Sequence, residues 1–226
     1  MNKAVLVVGA SGGVGRGLSE ALLDAGYAVI AVGRDPGRLD ALARDLGRPD
    51  ALTLLPASVA TDSEAAALSA AVRRMRQSLA AIVVSVTGPF ERGRLLEQPA
   101  DFLERKLAED LLPQWHAARH LLPLLAEGAR GAPYVVIGGP CVETPWAGYG
   151  HLSISGAAQR LLIRALRLET EDLPVRVQQL AMCSPVRTGR NESCACPEWP
   201  SALDVGHRLV SLIEQPATEA VIAYDA

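Results

Sequence analysis

The sequence predicts an α/β fold: a doubly wound parallel sheet of about seven strands with helices on both faces. Three observations predict it. Short apolar runs of strand length alternate with amphipathic stretches of helix length along the whole chain. The apolar runs are near-continuous in Val, Ile, Leu and Ala, as strands buried on both faces require. The first run ends in a glycine-rich turn, GASGGVGRG from Gly9, that opens a helix.

The elements follow in order. AVLVVG from Ala4 is the first strand, and Val14 to Ala25 is a helix stopped by Gly26. YAVIAVG is the second strand. Pro36 to Leu46 is a helix with Asp35 as its N-cap and Pro36 in the first position. ALTLLP is the third strand. Asp62 to Gln77 is a helix whose Asp62 and Glu64 place acid at its positive end. LAAIVVSV is the fourth strand. A long helical region covers Asp101 to Glu127, bent or broken near Pro113. PYVVIGG is the fifth strand. Ser153 to Glu171 is a long helix with Leu161, Leu162, Ala165 and Leu168 on one side. VRVQQLAM is the sixth strand. A loop bearing Cys, Pro and Trp leads to a helix from about Ser201 to Ile213, and EAVIAY is the last strand. Neither a repeat nor a linker divides the chain, so residues 1–226 are expected to form a single domain. At 226 residues and 49% hydrophobic they can bury a substantial core.

Composition excludes several classes. A formal net charge of -3 with scattered charges argues against a nucleic-acid groove or an anionic membrane surface. The glycine-rich turn interrupts the first apolar stretch, so no secretory signal is expected, and no window reaches the length of a membrane span. Cys141, Cys183, Cys194 and Cys196 are then expected as reduced thiols in the cytoplasm. Cys194 and Cys196 stand too close together for a zinc pattern and no second pair follows, so no metal is expected.

The glycine-rich turn carries the clearest chemistry. After a strand and before a helix, it marks a Rossmann-type dinucleotide site. Gly9 allows the tight turn. Gly13 and Gly15 let backbone approach a pyrophosphate and let helix pack on strand. Ser11, Gly12 and Val14 complete the loop, and the helix N-terminus offers free N–H groups and partial positive charge. The second strand ends AVGRD. Cofactors without a 2′-phosphate are usually held here by an acid on the ribose 2′-hydroxyl. This chain has Gly33 and then Arg34, which can grip a 2′-phosphate. Such a charge-assisted bond is worth about 1.5–3 kcal/mol, so NADP(H) is expected over NAD(H).

With these residues in place, the chain resembles the short-chain dehydrogenase/reductase family over nearly its full length. GASGGVG is similar to the family's TGxxxGxG, with Val8 where Thr is usual. AVGRDPGRLDAL resembles the NADP-type second strand and helix. SPVRT, Ser184 to Thr188, resembles the PGxxxT turn after the sixth strand. The resemblance implies an oxidoreductase binding NADP(H), with Ser58 and Val59 near adenine, Gly88 after the fourth strand, and Thr188 near the nicotinamide carboxamide. It also implies a homo-oligomer through the two long helices.

The resemblance further implies a catalytic tetrad of Asn, Ser, Tyr and Lys, and here the chain departs. GAAQRLLIRALRLE is similar to the family's KAA…LALE helix. That register puts Leu152 at the tyrosine position, Gly156 at the lysine, Gly139 at the serine and Asp110 at the asparagine. The NNAG after the fourth strand reads Ser85-Val86-Thr87-Gly88, and the aspartate near adenine reads Ser58. No register restores Tyr-x-x-x-Lys, because no lysine follows Lys106. A phenol without that ammonium stays protonated at neutral pH. It can act as an acid but is a poor base, so alcohol oxidation by the family route is disfavoured.

The polar residues around the emptied positions admit two readings each. Tyr149 stands one turn before Leu152 and either reaches the pocket or packs its ring on a loop. His151 could exchange a proton without a lysine, or be a solvated or capping residue. Ser153 is read as an N-cap and Ser155 as bound to backbone. Asp110 either carries a raised pKa in a half-buried helix or faces solvent beside Glu109. Cys141 has no thiolate-stabilising neighbour and is expected inert. The segment with Trp199, Cys194 and Cys196, which covers substrate in the family, is an apolar lid or simply mobile. Three functions follow: an oxidoreductase with a rebuilt site acting on a small molecule, a cofactor-binding pseudoenzyme or regulatory subunit, and a non-redox isomerase or cyclase using His151 or Asp110.

Overall fold

The computed structural model describes residues 3–225. Seven strands form one parallel sheet: β1 (Ala4–Val8), β2 (Ala28–Gly33), β3 (Leu52–Pro56), β4 (Leu79–Val84), β5 (Ala132–Gly138), β6 (Val175–Met182) and β7 (Val221–Tyr224). Their spatial order is β3-β2-β1-β4-β5-β6-β7, every pair parallel. The helices are α1 (Gly13–Asp24), α2 (Pro36–Asp45), α3 (Asp62–Met75), α4 (Phe102–Asp110), α5 (Leu112–Ala126), α6 (Gly150–Glu169) and α7 (Ala202–Glu214). This is the expected doubly wound, Rossmann-type α/β fold. Among the described residues no helix is long and apolar enough to cross a membrane.

The central strands are apolar at every position because they serve two cores. Successive side chains point to opposite faces. Leu6, Val8, Ile30, Val32, Ile82 and Val84 join α3, α5 and Ile163 of α6 on one face. Val5, Val7, Val29, Ala31, Ala81 and Val83 join α1, α2 and α7 on the other. Each large side chain so buried contributes about 1.5–3 kcal/mol, which fixes register as well as stability.

Most helix ends follow their local chemistry. Asp35 caps α2 by accepting from the Gly37 and Arg38 amides. Thr61 with Glu64, and Ser201 with Asp204, form capping boxes at α3 and α7. The long helical region divides at Leu111, and Pro113 sits in the first turn of α5, where its missing N–H costs nothing.

The strand order reverses between β1 and β4, so the loops after those strands part at the carboxyl edge of the sheet and leave a crevice. Gly9 makes the close approach there. Its φ is +88°, and a Cβ on it would lie 2.2 Å from the Ser85 carbonyl oxygen that ends β4.

Candidate functional site

The carboxyl edge gathers the expected cofactor residues. Gly9 to Gly15 form the turn from β1 into α1, Arg34 follows β2, Ser58 and Val59 follow β3, Gly88 follows β4, and Thr188 follows β6. Thr188 lies against the glycine turn, where a Cβ on Gly13 would meet its Cβ at 2.9 Å. Asn191 fixes that threonine by accepting from both its backbone N–H and its hydroxyl, at 2.8 and 3.1 Å. The α1 N-terminus has no side-chain cap and no acid in its first turn, so its amides and partial charge stay available to an anion.

Arg34 is exposed at the end of β2, and it forms no ion pair among the described residues. It lines a hollow of about 510 Å³ with Leu55, Ala57, Ser58, Glu64 and Leu68. That volume falls within the usual range of ligand sites. The Ser58 hydroxyl is engaged there, donating to Glu64 and accepting from the Ala60 amide. Val59 is buried in the core and does not line this hollow. This crevice, with backbone where side chains would intrude, fits a nicotinamide dinucleotide.

The positions that the resemblance assigns to the tetrad serine, lysine and tyrosine lie around the loop after β5 and on α6. At Gly139 a side chain would meet open space. At Gly156 a Cβ would lie 2.6 Å from Val142 Cγ2, so the loop after β5 packs against the bare backbone there. Leu152 is half-buried on α6.

The neighbouring polar residues behave otherwise than expected. The α6 helix starts at Gly150, three residues early, and its N-cap Tyr149 makes no side-chain capping bond. Ser153 is therefore not the N-cap. It lies buried within the helix and its hydroxyl has no protein partner. His151 is neither solvated nor capping. It is fully buried, its ring edge-on to Phe102 at 5.3 Å, with neither ring nitrogen hydrogen-bonded. Burial holds its pKa below the ordinary imidazole value, against the pull of nearby Asp110. Ser155 does not bind backbone either, since its hydroxyl donates to Asp110 Oδ2 at 3.5 Å.

Asp110 does not face solvent. It is 9% exposed, and its Oδ1 accepts from the Gly88 amide at 2.7 Å. Burial raises its carboxyl above the usual range, although the Gly88 bond and Lys106 pull the other way. The structure thus brings Asp110, Ser155, His151 and Gly88 together between α4, α6 and the loop after β4. Tyr149 stands apart. Its ring packs on Phe90 at 5.2 Å and Trp146 at 6.4 Å, with the Arg92 guanidinium 5.9 Å above it.

Lys106 was not foreseen as part of this cluster. It is fully buried and donates to the Pro89 carbonyl at 2.7 Å and to Glu109 at 2.8 Å, while pairing with Glu91 at 2.8 Å. Burial alone would lower its pKa, but the two carboxylates outweigh that and hold it raised. A fully paired ammonium cannot replace the missing lysine as a proton partner. It pins the loop after β4 onto α4. Cys141 is buried and its thiol is pushed up to about 11, so it is inert at neutral pH.

Comparison with known proteins agrees with this geometry. The family model of the short chain dehydrogenases matches residues 3–195. No curated protein sequence matches the chain. A short-chain type dehydrogenase/reductase from Mycobacterium ulcerans superposes with a TM-score of 0.87 at 19% identity, over 99% of this chain and 88% of that one. A short chain oxidoreductase from Pseudomonas aeruginosa PAO1 containing an atypical catalytic center gives 0.85 at 20% identity, over 99% and 95%. The NADP complex of Pseudomonas aeruginosa RhlG gives 0.86 at 22% identity, over 99% and 94%. At these identities the likeness is one of fold.

Proposed function

The chain belongs to the short chain dehydrogenase family, and from that premise we propose that it is an NADP(H)-binding oxidoreductase with a rebuilt active site. One observation carries this reading. The cofactor half of the crevice keeps its glycine turn, its uncapped helix N-terminus and an Arg34 outside any ion pair, although Val8, Ser58 and Ser85-Val86-Thr87 depart from the family pattern there, while the positions of the tetrad carry Asp110, Gly139, Leu152 and Gly156. Neighbours of the same fold bind NADP in two cases and NADH in a third, so the fold admits either dinucleotide and Arg34 carries the choice.

When bound, the dinucleotide supplies or accepts a hydride. The residues of this chain have other tasks. The amides of Gly13 to Gly15 would hold the pyrophosphate, Arg34 the 2′-phosphate, and Thr188 the carboxamide end. Asp110 is a positioning residue, because its bond to Gly88 sets the loop that borders the crevice. Reduction is favoured over oxidation: the site lacks the Tyr–Lys pair that makes a base, and Lys106 is engaged elsewhere. The substrate is a small carbonyl or enone compound. We place the protein in the cytoplasm, in keeping with four unpaired thiols, and as a homo-oligomer through α5 and α6.

A second reading is favoured by Gly139, Leu152 and Gly156, with Val142 resting on the last. In it the protein binds NADP(H) without turnover and serves as a silent or regulatory subunit. Two measurements separate the readings. Calorimetry should give tighter binding of NADPH than NADH, a preference reduced ten- to hundredfold in Arg34→Ala. A carbonyl and enone panel should then reveal NADPH consumption. Tight binding with no turnover anywhere in the panel selects the second reading, and absence of binding sinks both.

A further inference from the structure

Two arginines from distant parts of the chain meet at Ser11, and neither forms an ion pair among the described residues. Arg38, in the first turn of α2, donates from Nη2 to the Ser11 carbonyl at 2.6 Å. Arg190, in the segment after Thr188, points its Nη2 at the same oxygen from 3.5 Å. Two guanidinium groups therefore stand side by side on one neutral acceptor. Arg34 follows Gly33, where an added Cβ would lie 2.8 Å from the Ser11 hydroxyl oxygen, so its backbone leaves β2 beside the same turn. Among the described residues, Arg34, Arg38 and Arg190 form no ion pair. The acid nearest in sequence, Asp35, directs its Oδ1 to the Gly37 and Arg38 amides. Arg34 has the Glu64 carboxylate across the same hollow, but the Arg38 and Arg190 guanidinium groups meet on a neutral carbonyl and form no ion pair among the described residues, a pairing suited to a doubly charged phosphate.

Arg190 is not there by drift of a loose loop. The Thr188 N–H and hydroxyl donate to Asn191, and Asn191 Nδ2 donates to the Val186 carbonyl at 3.0 Å. The Arg190 amide donates to the Thr188 hydroxyl at 3.3 Å. A turn locked by side chains thus aims the guanidinium across the glycine turn.

We propose that Arg190 and Arg38 complete, with Arg34, a clamp on the 2′-phosphate of the cofactor, so that NADP(H) but not NAD(H) fastens the segment 189–199 over the glycine turn. The inference rests on the NADP(H) reading above and adds two specificity-determining residues to it. It also gives the segment after β6 a task at the adenosine end.

The test is calorimetric binding of NADPH, NADH, 2′,5′-ADP and 5′-AMP to wild type, Arg34→Ala, Arg38→Ala, Arg190→Ala and Arg190→Lys. All three side chains are exposed, and melting without ligand verifies that each variant folds. Arg190→Ala should weaken NADPH and 2′,5′-ADP about tenfold and leave NADH and 5′-AMP unchanged. Arg190→Lys should recover part of the loss. Limited proteolysis within 189–199 should be slowed by NADPH, not by NADH, and not in Arg190→Ala. An equal loss for NADPH and NADH would place Arg190 on the diphosphate and overturn the proposal. So would unchanged NADPH affinity in Arg190→Ala. If the wild type does not distinguish NADPH from NADH, the cofactor reading itself fails. If it does, and Arg34→Ala removes the distinction while Arg190→Ala keeps it, only the clamp fails.

Discussion

Asp110 Oδ1 accepts the Gly88 amide at 2.7 Å, tying the end of α4 to the loop that leaves β4. The bond needs an acceptor, not a charge. The charge is a liability, because burial raises the folded-state pKa above that of the unfolded chain. The folded protein therefore binds the extra proton more readily. This contribution to stability is greatest below the unfolded value of about 4 and is lost as pH rises through the folded one. Asp110→Asn should keep the Gly88 bond and remove that loss. Urea unfolding should show the variant gaining on wild type between pH 4.5 and pH 7.5. Asp110→Ala, which orphans the amide, should cost about 1–3 kcal/mol at both. A constant difference between Asn variant and wild type across that range would mean Asp110 is ordinary.

His151 has the opposite sign. Its folded pKa is depressed by burial, so the unfolded chain takes up the proton first. Stability from this group is present above about pH 6.5 and is lost as pH falls through the folded value. His151→Phe should match wild type or better it at pH 7, since it removes two buried nitrogens without partners and keeps an aromatic ring on Phe102. It should flatten the acid limb of the melting curve between pH 5 and 6.5. A cost above about 1 kcal/mol at both ends would show that the imidazole is hydrogen-bonded in solution.

These two residues mark where sequence reasoning stops. The sheet, the glycine turn and the break before Pro113 are legible, because strand burial, phosphate geometry and the missing proline N–H leave local signatures. Asp35 is legible as a cap for the same reason. The start of α6 is not, because Tyr149 caps it with no side-chain bond. His151, Ser153 and Ser155 lie one or two residues apart in a helix, and polar residues there read as surface. In the structure they are buried while Leu161 and Leu168 on the same helix are exposed, an inversion no hydrophobic pattern announces. Lys106 and Arg190 escape for a different reason: Pro89 and Glu91, which bury the one beside its helical neighbour Glu109, and Ser11, which meets the other, come from other parts of the chain, and composition does not show who meets whom.

The positions that the resemblance assigns to serine, tyrosine and lysine can be substituted together. Gly139 has open space for a serine, but Gly156→Lys must displace Val142 Cγ2. Gly139→Ser with Leu152→Tyr, Gly156→Lys and Val142→Ala should therefore restore a phenol beside an ammonium and a hydroxyl that holds a carbonyl. NADPH consumption with carbonyl substrates should rise at least about 10²-fold over the parent. If the refilled protein binds NADPH yet stays at background, the crevice does not present substrate for hydride transfer, and the silent-subunit reading gains.

The outward face of α6 makes the last prediction. Ile154, Leu161 and Leu168 recur every seven residues and are 38%, 66% and 68% exposed. A heptad spacing keeps one stripe along a helix, the pattern of a helix packed on another. On α5, Leu112 and Trp115 are exposed as well. Burying each such side chain against a second copy is worth about 1.5–3 kcal/mol, so the stripe can hold a dimer once several are covered. Sedimentation should find wild type as a dimer or tetramer, and its melting temperature should rise with protein concentration. Leu161→Glu with Leu168→Glu should give a folded monomer whose melting temperature no longer depends on concentration. A wild type that sediments as a monomer at tens of micromolar would leave that stripe without a partner of its own kind.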